Sequence, residues 1–220
     1  MAKEPWRFDA DSGKDVSLYV HIPFCASRCR YCDFASNVAG RSAMERYVSC
    51  LMREMDRWAP ALEGRSVSTV FFGGGTPGLL PPELTARLAE RIRSRFDCRA
   101  DGEWTLESNP ETTDLERAQQ WRAMGFNRLS LGLQAAQPAL LAMLGRRADA
   151  GRLLAAAQEA RQAGLDNLNV DLMASLPGQR MEDLLASVDV AVRAGASHIS
   201  LYALVVHEDT PLGREIGSGV

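Results

Sequence analysis

Three helical stretches of this 220-residue chain end alike, at Met124-Gly125-Phe126, Ala163-Gly164-Leu165 and Ala194-Gly195-Ala196. Glycine tolerates the left-handed backbone that closes a helix, and the apolar residue after it starts the return toward a strand. Recurrence of this punctuation is the imprint of a repeated βα unit. Six short apolar or β-branched runs supply the strands, at residues 18–22, 67–72, 103–106, 127–131, 167–171 and 198–202, and they read as strands covered on both faces. Ser42 with Glu45, and Thr113 with Glu116, form capping boxes that predict two helix starts. Pro81-Pro82 predicts a third, where a missing N–H costs little. Strands joined by helices pair in parallel. An open doubly wound sheet and a curled partial barrel both satisfy this pattern, and periodicity does not separate them.

A parallel sheet of this kind needs a large core, and a chain of this length with 46% hydrophobic and 24% charged residues can build one as a single α/β domain. A net charge of -3, a pI near 5.7 and the lack of any basic block exclude a nucleic-acid binder of the usual electrostatic type. No run of about 20 apolar residues is present, which excludes a membrane-spanning helix. The first residues, Met-Ala-Lys-Glu-Pro-Trp-Arg-Phe-Asp, show no secretory-type apolar segment, so a cytoplasmic location is expected.

In either sheet the loops that carry function lie at the C-terminal ends of the strands. The first such loop holds Cys25, Cys29 and Cys32 in the spacing C-x-x-x-C-x-x-C. Three thiolates on one loop converge on one side, whereas a structural zinc site or an ordinary iron–sulfur cluster takes four protein ligands. One coordination position is thereby left for a molecule that is not protein. The rival is zinc with His21 or Asp33 as the fourth ligand. His21 sits in an alternating strand and Asp33 directly follows Cys32, so neither is well placed. Five cysteines in all, an odd number, point to thiol chemistry in a reducing compartment rather than to disulfides. Cys50, in a helical pattern with Tyr47, Leu51 and Met55, reads as buried and inert. Cys98, in a polar connection, reads as structural.

The later loops fit one rim. Gly73-Gly74-Gly75-Thr76-Pro77 follows the second strand, and consecutive glycines let the backbone approach a ligand closely. It lacks the Lys-Ser/Thr of a P-loop and the G-x-G-x-x-G spacing of a dinucleotide fold. Glu107 closes the third strand, where a carboxylate can accept two ribose hydroxyls. Gln134, Arg146 and Asp171 could add polar contacts to a nucleoside-like ligand. Tyr31, between the last two cysteines, could cover a cluster or stack on adenine.

Together Tyr19-Val-His-Ile-Pro-Phe-Cys25, Phe71-Phe-Gly-Gly-Gly-Thr-Pro77, Gly125-Phe-Asn-Arg-Leu-Ser-Leu-Gly-Leu-Gln134 and Asn169-Val-Asp-Leu-Met-Ala-Ser-Leu-Pro-Gly-Gln179 resemble, in order and spacing, one branch of the radical S-adenosylmethionine (SAM) proteins. That branch contains oxygen-independent coproporphyrinogen III oxidase and its paralogue, the heme chaperone HemW. The resemblance covers about residues 18–212. It implies a partial (β/α)6 TIM-like barrel with a [4Fe–4S] cluster on Cys25, Cys29 and Cys32. It further implies SAM on that cluster, among Tyr19, Tyr31, Gly74, Gly75, Thr76 and Glu107. Gln134, Arg146 and Asp171 match SAM contacts of the branch, those of a second SAM included, and Val205 aligns with another. The chemistry implied is reductive cleavage of SAM to methionine and a 5′-deoxyadenosyl radical, with an electron donor such as flavodoxin or ferredoxin as partner.

Two departures refine this expectation. The oxidase resembles C-x-x-x-C-x-x-C-x-C, but Phe34 stands at the fourth cysteine here, and Asp33-Phe34 and Ser200-Leu-Tyr-Ala-Leu204 take the heme-chaperone form. Coproporphyrinogen decarboxylation is therefore not expected. The second departure is at the end, Gly217-Ser-Gly-Val220, which carries no His-Asn-x-x-Tyr-Trp heme motif. The expected organisation is an N-terminal extension over 1–17 and a radical SAM core over 18–220, with the C-terminal domain of the family missing. The leading expectation is a heme-handling protein with heme as client. The alternatives are an active radical SAM enzyme, oxidase- or methyltransferase-like, acting on a tetrapyrrole or other small molecule, and a zinc-stabilised α/β binding module.

Overall fold

The computed structural model describes residues 15–218. Strands β1 (Asp15–Ile22), β2 (Ser66–Gly74), β3 (Asp97–Ser108), β4 (Arg128–Gln134), β5 (Asn167–Ala174) and β6 (His198–Ala203) form one sheet in chain order, with every neighbouring pair parallel. Helices α1 (Arg41–Trp58), α2 (Pro82–Arg95), α3 (Leu115–Ala123), α4 (Pro138–Leu144), α5 (Ala150–Gln162), α6 (Met181–Arg193) and α7 (Pro211–Gly217) connect and follow them. The sequential order decides between the two arrangements left open above. A doubly wound sheet reverses its strand order and takes helices on both faces, whereas an unreversed series of right-handed crossovers keeps them on one. The sheet curls into a half-barrel whose end strands, β1 and β6, do not pair with each other.

Alternation along the strands separates the two faces. Val20, Ile22, Phe72, Leu106, Leu131 and Val170 turn outward and share one core with Val48, Leu88, Trp121 and Leu153 of the helices. Phe126 meets Phe72 edge-on at 5.1 Å and Trp104 at 5.9 Å. Each fully buried side chain of this kind contributes roughly 1.5–3 kcal/mol. The alternate positions, among them Glu107, Ser130, Asn169 and Asp171, face the concave side. The strands are thus helix-covered on one face and polar on the other, which corrects the expectation of two covered faces.

The helix-ending glycines adopt φ of +90°, +82° and +72° at Gly125, Gly164 and Gly195. Phe126, Leu165 and Ala196 return N–H bonds to Trp121, Ala160 and Ala191, so each apolar residue is swung back toward its strand. Other local expectations need correction. β1 begins at Asp15, three residues before position 18, so residues 15–17 of the expected N-terminal extension are strand, and 1–14 lie outside the described residues. Gly40, not Ser42, precedes α1, and the Ser42 hydroxyl accepts from Arg46 instead. Asp114, not Thr113, caps α3 through the Arg117 N–H, while Thr113 Oγ1 donates to Ser108 Oγ, 2.9 Å away. Pro81-Pro82 does open α2. Cys50 is exposed, beside Arg53, because it falls on the solvent side of α1. Cys98 is half-buried inside β3, which starts earlier than the apolar run reveals.

Candidate functional site

The C-terminal ends of β2 to β6 and the loop after β1 surround one cavity of about 570 Å³, the size of a small-molecule site. Cys25, Cys29 and Cys32 all line it, on the loop after β1. That loop is held by its backbone. Cys25 N–H bonds Asn37 O at 3.0 Å, Asn37 N–H bonds Pro23 O at 2.7 Å, and Cys32 N–H bonds Cys29 O at 3.3 Å. Arg30 ties it down from the middle: its N–H reaches Leu144 O at 3.0 Å, its carbonyl accepts from Leu212 N–H at 2.9 Å, and its guanidinium pairs with Glu215 at 2.5 Å.

The glycine run lies directly alongside. Gly75 N–H bonds Ile22 O at 2.9 Å and Thr76 N–H bonds Phe24 O at 2.8 Å. A Cβ at Gly75 would stand 2.8 Å from Phe24 O and 3.0 Å from Cys25 Sγ, so only glycine allows the two loops to touch. Gly74, at φ +116°, points its N–H at Glu107 Oε2, 3.0 Å away. The run therefore serves packing against the thiolate loop as well as an approach to a ligand.

Glu107 is inward and largely buried. Burial pushes its carboxyl up to about 7, the Gly74 N–H opposes this, and the charge of Asp171 adds to it. Asp171 is fixed from two sides, by Ser130 Oγ at 3.1 Å and Asn169 Nδ2 at 2.8 Å. Gln134 lines the cavity from a bulge at the end of β4, in a left-handed backbone at φ +73°, an arrangement that re-aims a side chain at functional rims. Arg146 follows α4 and places Nη1 3.8 Å from Cys29 Sγ. Its Nε is buried without a partner. Tyr31 lines the cavity and packs on the Leu141, Leu144 and Leu212 cluster. Burial and the neighbouring Cys29 raise its hydroxyl well above the ordinary value. Burial and the neighbouring cysteines likewise raise the Cys32 thiol, against the Phe34 N–H.

Of the residues predicted for the site, Tyr31, Gly74, Gly75, Thr76, Glu107, Gln134, Arg146, Asp171 and Val205 join the cysteines around this cavity. Tyr19 does not line it. Its ring stacks on Phe71 on the concave face, centroids 6.0 Å apart, and its hydroxyl lies 3.2 Å from His21 Nδ1. Residues that sequence reasoning passed over also line it: Asn109, Tyr202 and His207. Asn109 sits two residues past Glu107 at the same strand end, which was the available signal. His207 had none, and its Nε2 lies 3.1 Å from Asp33 Oδ2.

The donor chemistry suits an iron–sulfur cluster better than one metal ion. Among the described residues no three His, Cys, Asp or Glu side chains could hold a single ion, whereas a cubane places its thiolates on separate irons. The two candidate fourth ligands are engaged elsewhere: His21 Nε2 bonds Ala35 O at 2.9 Å, and Asp33 pairs with His207. No helix among the described residues is long and apolar enough to cross a membrane.

Fold and cavity together define an α/β half-barrel protein built around a three-thiolate mouth. The chain belongs to the radical SAM superfamily, whose family model matches residues 19–191. It is 41% identical over 210 residues to the heme chaperone HemW of Mycobacterium tuberculosis, covering 94% of this chain and 54% of that protein. It is 37% identical over 199 residues to HemW of Escherichia coli, covering 90% and 53%. The solved structure of the Escherichia coli coproporphyrinogen III oxidase HemN, a radical SAM enzyme, superposes with a TM-score of 0.85 at 30% identity, covering 92% of this chain and 47% of that one. The chain thus spans about half the length of the curated relatives it matches.

Proposed function

We propose that this chain binds a [4Fe–4S] cluster on Cys25, Cys29 and Cys32 with SAM beside it, and that it serves heme handling of the HemW type. The carrying observation is that three thiolates, the glycine run, Glu107 and Arg146 share one cavity. A bound, reduced cluster would supply the single electron that cleaves SAM. The chain's own residues do the rest. Gly74 to Thr76, their N–H groups already engaged, let the backbone come close to the polar end of SAM, Glu107 accepts its ribose hydroxyls, and Asp171, held by Ser130 and Asn169, keeps a fixed orientation toward the nucleoside. Tyr31 and the apolar cluster behind it exclude water from the thiolate loop. Support for heme as the client comes from the two HemW relatives and from Phe34 in the oxidase's fourth-cysteine position.

The test is anaerobic reconstitution with iron and sulfide, dithionite reduction, and electron paramagnetic resonance with and without SAM. A reduced-cluster signal that changes on adding SAM is expected, and Cys29→Ser should abolish it. A colourless, zinc-loaded protein would overturn the reading. Transfer of heme to an acceptor apoprotein then separates the heme role from the second reading, an active radical SAM enzyme. The likeness to the oxidase favours that second reading. Substrate-dependent release of 5′-deoxyadenosine with a modified tetrapyrrole, and no heme transfer, would establish it.

A further inference from the structure

One hydrogen-bonded arc runs between two of the three thiolates. Arg146 Nη1 donates to Cys29 Sγ at 3.8 Å, and Arg146 Nη2 donates to Asn109 Oδ1 at 2.8 Å. Asn109 Nδ2 donates in turn to Thr76 Oγ1 at 3.2 Å, and the Thr76 hydroxyl donates to Cys25 Sγ at 3.7 Å. Every donor points the same way, from the arginine toward the sulfurs. Such chains polarise cooperatively in a low-dielectric site, and Thr76 is only 4% exposed.

The arc is built rather than incidental. Its members come from the ends of β2, β3 and α4, far apart in sequence. Asn109 is pinned by its own backbone: its N–H bonds Thr112 Oγ1 at 3.1 Å, and its carbonyl accepts from Thr113 Oγ1 at 3.0 Å. The same Arg146 Nη2 also donates to Gly132 O, which anchors the guanidinium to the end of β4.

We propose that Arg146, Asn109 and Thr76 form a positioning network that delivers one positive charge and two sulfur hydrogen bonds to the cluster ligands Cys29 and Cys25, raising the reduction potential of the cluster. The proposal rests on the cluster assignment made above. Reduction adds negative charge to the cluster, and donors or cations at its sulfurs stabilise that charge, so they shift the potential upward. Asn109, which touches neither sulfur, acts by aligning the two groups that do. Thr76 and Arg146 thereby turn toward the thiolates as well as toward any ligand in the cavity.

The experiment is a redox titration of the reconstituted cluster, monitored by electron paramagnetic resonance and carried out without SAM, on wild type, Thr76→Val, Asn109→Ala, Arg146→Lys and Arg146→Met. Iron per chain is measured on each sample. The expected result is a midpoint shifted to more negative potential in Arg146→Met, Asn109→Ala and Thr76→Val, with Arg146→Lys lying between Arg146→Met and wild type. Thr76→Val added to Asn109→Ala should shift it less than Thr76→Val does in the wild-type background, as linked groups do. Midpoints equal to wild type in all variants, with full iron content, would overturn the arc and leave Arg146 to a role at SAM. If a variant loses its iron, Thr76→Val, which removes one hydroxyl and keeps the volume, decides. Absence of a cluster in the wild-type protein would instead refute the cluster assignment itself.

Discussion

Replacing Glu107 by glutamine should stabilise the cluster-free protein, and only above acidic pH. The carboxyl is buried on the concave face beside Asp171 and sits at about 7 in the folded chain, against an ordinary value of 4.5. Folding therefore takes up a proton between those values, and the contribution of Glu107 to stability falls as pH rises through that window. A rise of roughly 2.5 units at 1.36 kcal/mol each amounts to about 3 kcal/mol above pH 7. Glutamine carries no charge to bury, keeps an oxygen for the Gly74 N–H now at 3.0 Å, and ends the repulsion with Asp171. Urea unfolding of both proteins, reduced and free of iron, from pH 4 to 8.5 measures the difference. The two should coincide near pH 4 and diverge to about 3 kcal/mol in favour of the variant by about pH 8. A difference independent of pH would refute the assignment of Glu107 as a buried acid.

Three further outcomes follow from the same site and its support. SAM hydroxyls donating to Glu107 would favour its ionised form, so SAM binding to the clustered protein near pH 6–7 should release a fraction of a proton, which calorimetry in buffers of different ionisation enthalpy detects. Gly75→Ala must push the glycine run away from Phe24 O and Cys25 Sγ, at 2.8 and 3.0 Å from the new Cβ. It should bind less iron under identical reconstitution while keeping the wild-type far-ultraviolet circular dichroism. Phe126→Ala, at the join of β2, β3 and the return from α3, should cost about 3–5 kcal/mol in urea unfolding, since Phe126 is fully buried between Phe72 and Trp104.

The parts legible in sequence are those decided by neighbours along the chain. Helix-closing glycines followed by apolar residues prescribe βα repetition, because the left-handed turn and the swing back to the sheet are local events. Spacing within the loop after β1 brings Cys25, Cys29 and Cys32 to one cavity, because a local turn, Cys32 N–H to Cys29 O, keeps the loop from extending. Helix starts were less legible. Ser42 lies two residues past the true cap Gly40 and Thr113 one residue before the true cap Asp114, and a side chain that can cap can equally bond Arg46 or Ser108.

What only the tertiary structure decided depends on where the strands stop and which way each side chain turns. Strand order, and with it the half-barrel over the doubly wound sheet, is a matter of long-range pairing. The exposure of Cys50 is settled by helix facing, and the position of Tyr19 outside the cavity by its place three residues before the end of β1. Burial of Glu107 opposite Asp171, and the path from Arg146 through Asn109 and Thr76 to two sulfurs, join residues from four strand ends and the end of α4. Curling the sheet brings those ends together and excludes water between them, and without that exclusion neither the raised carboxyl nor the aligned donors would exist.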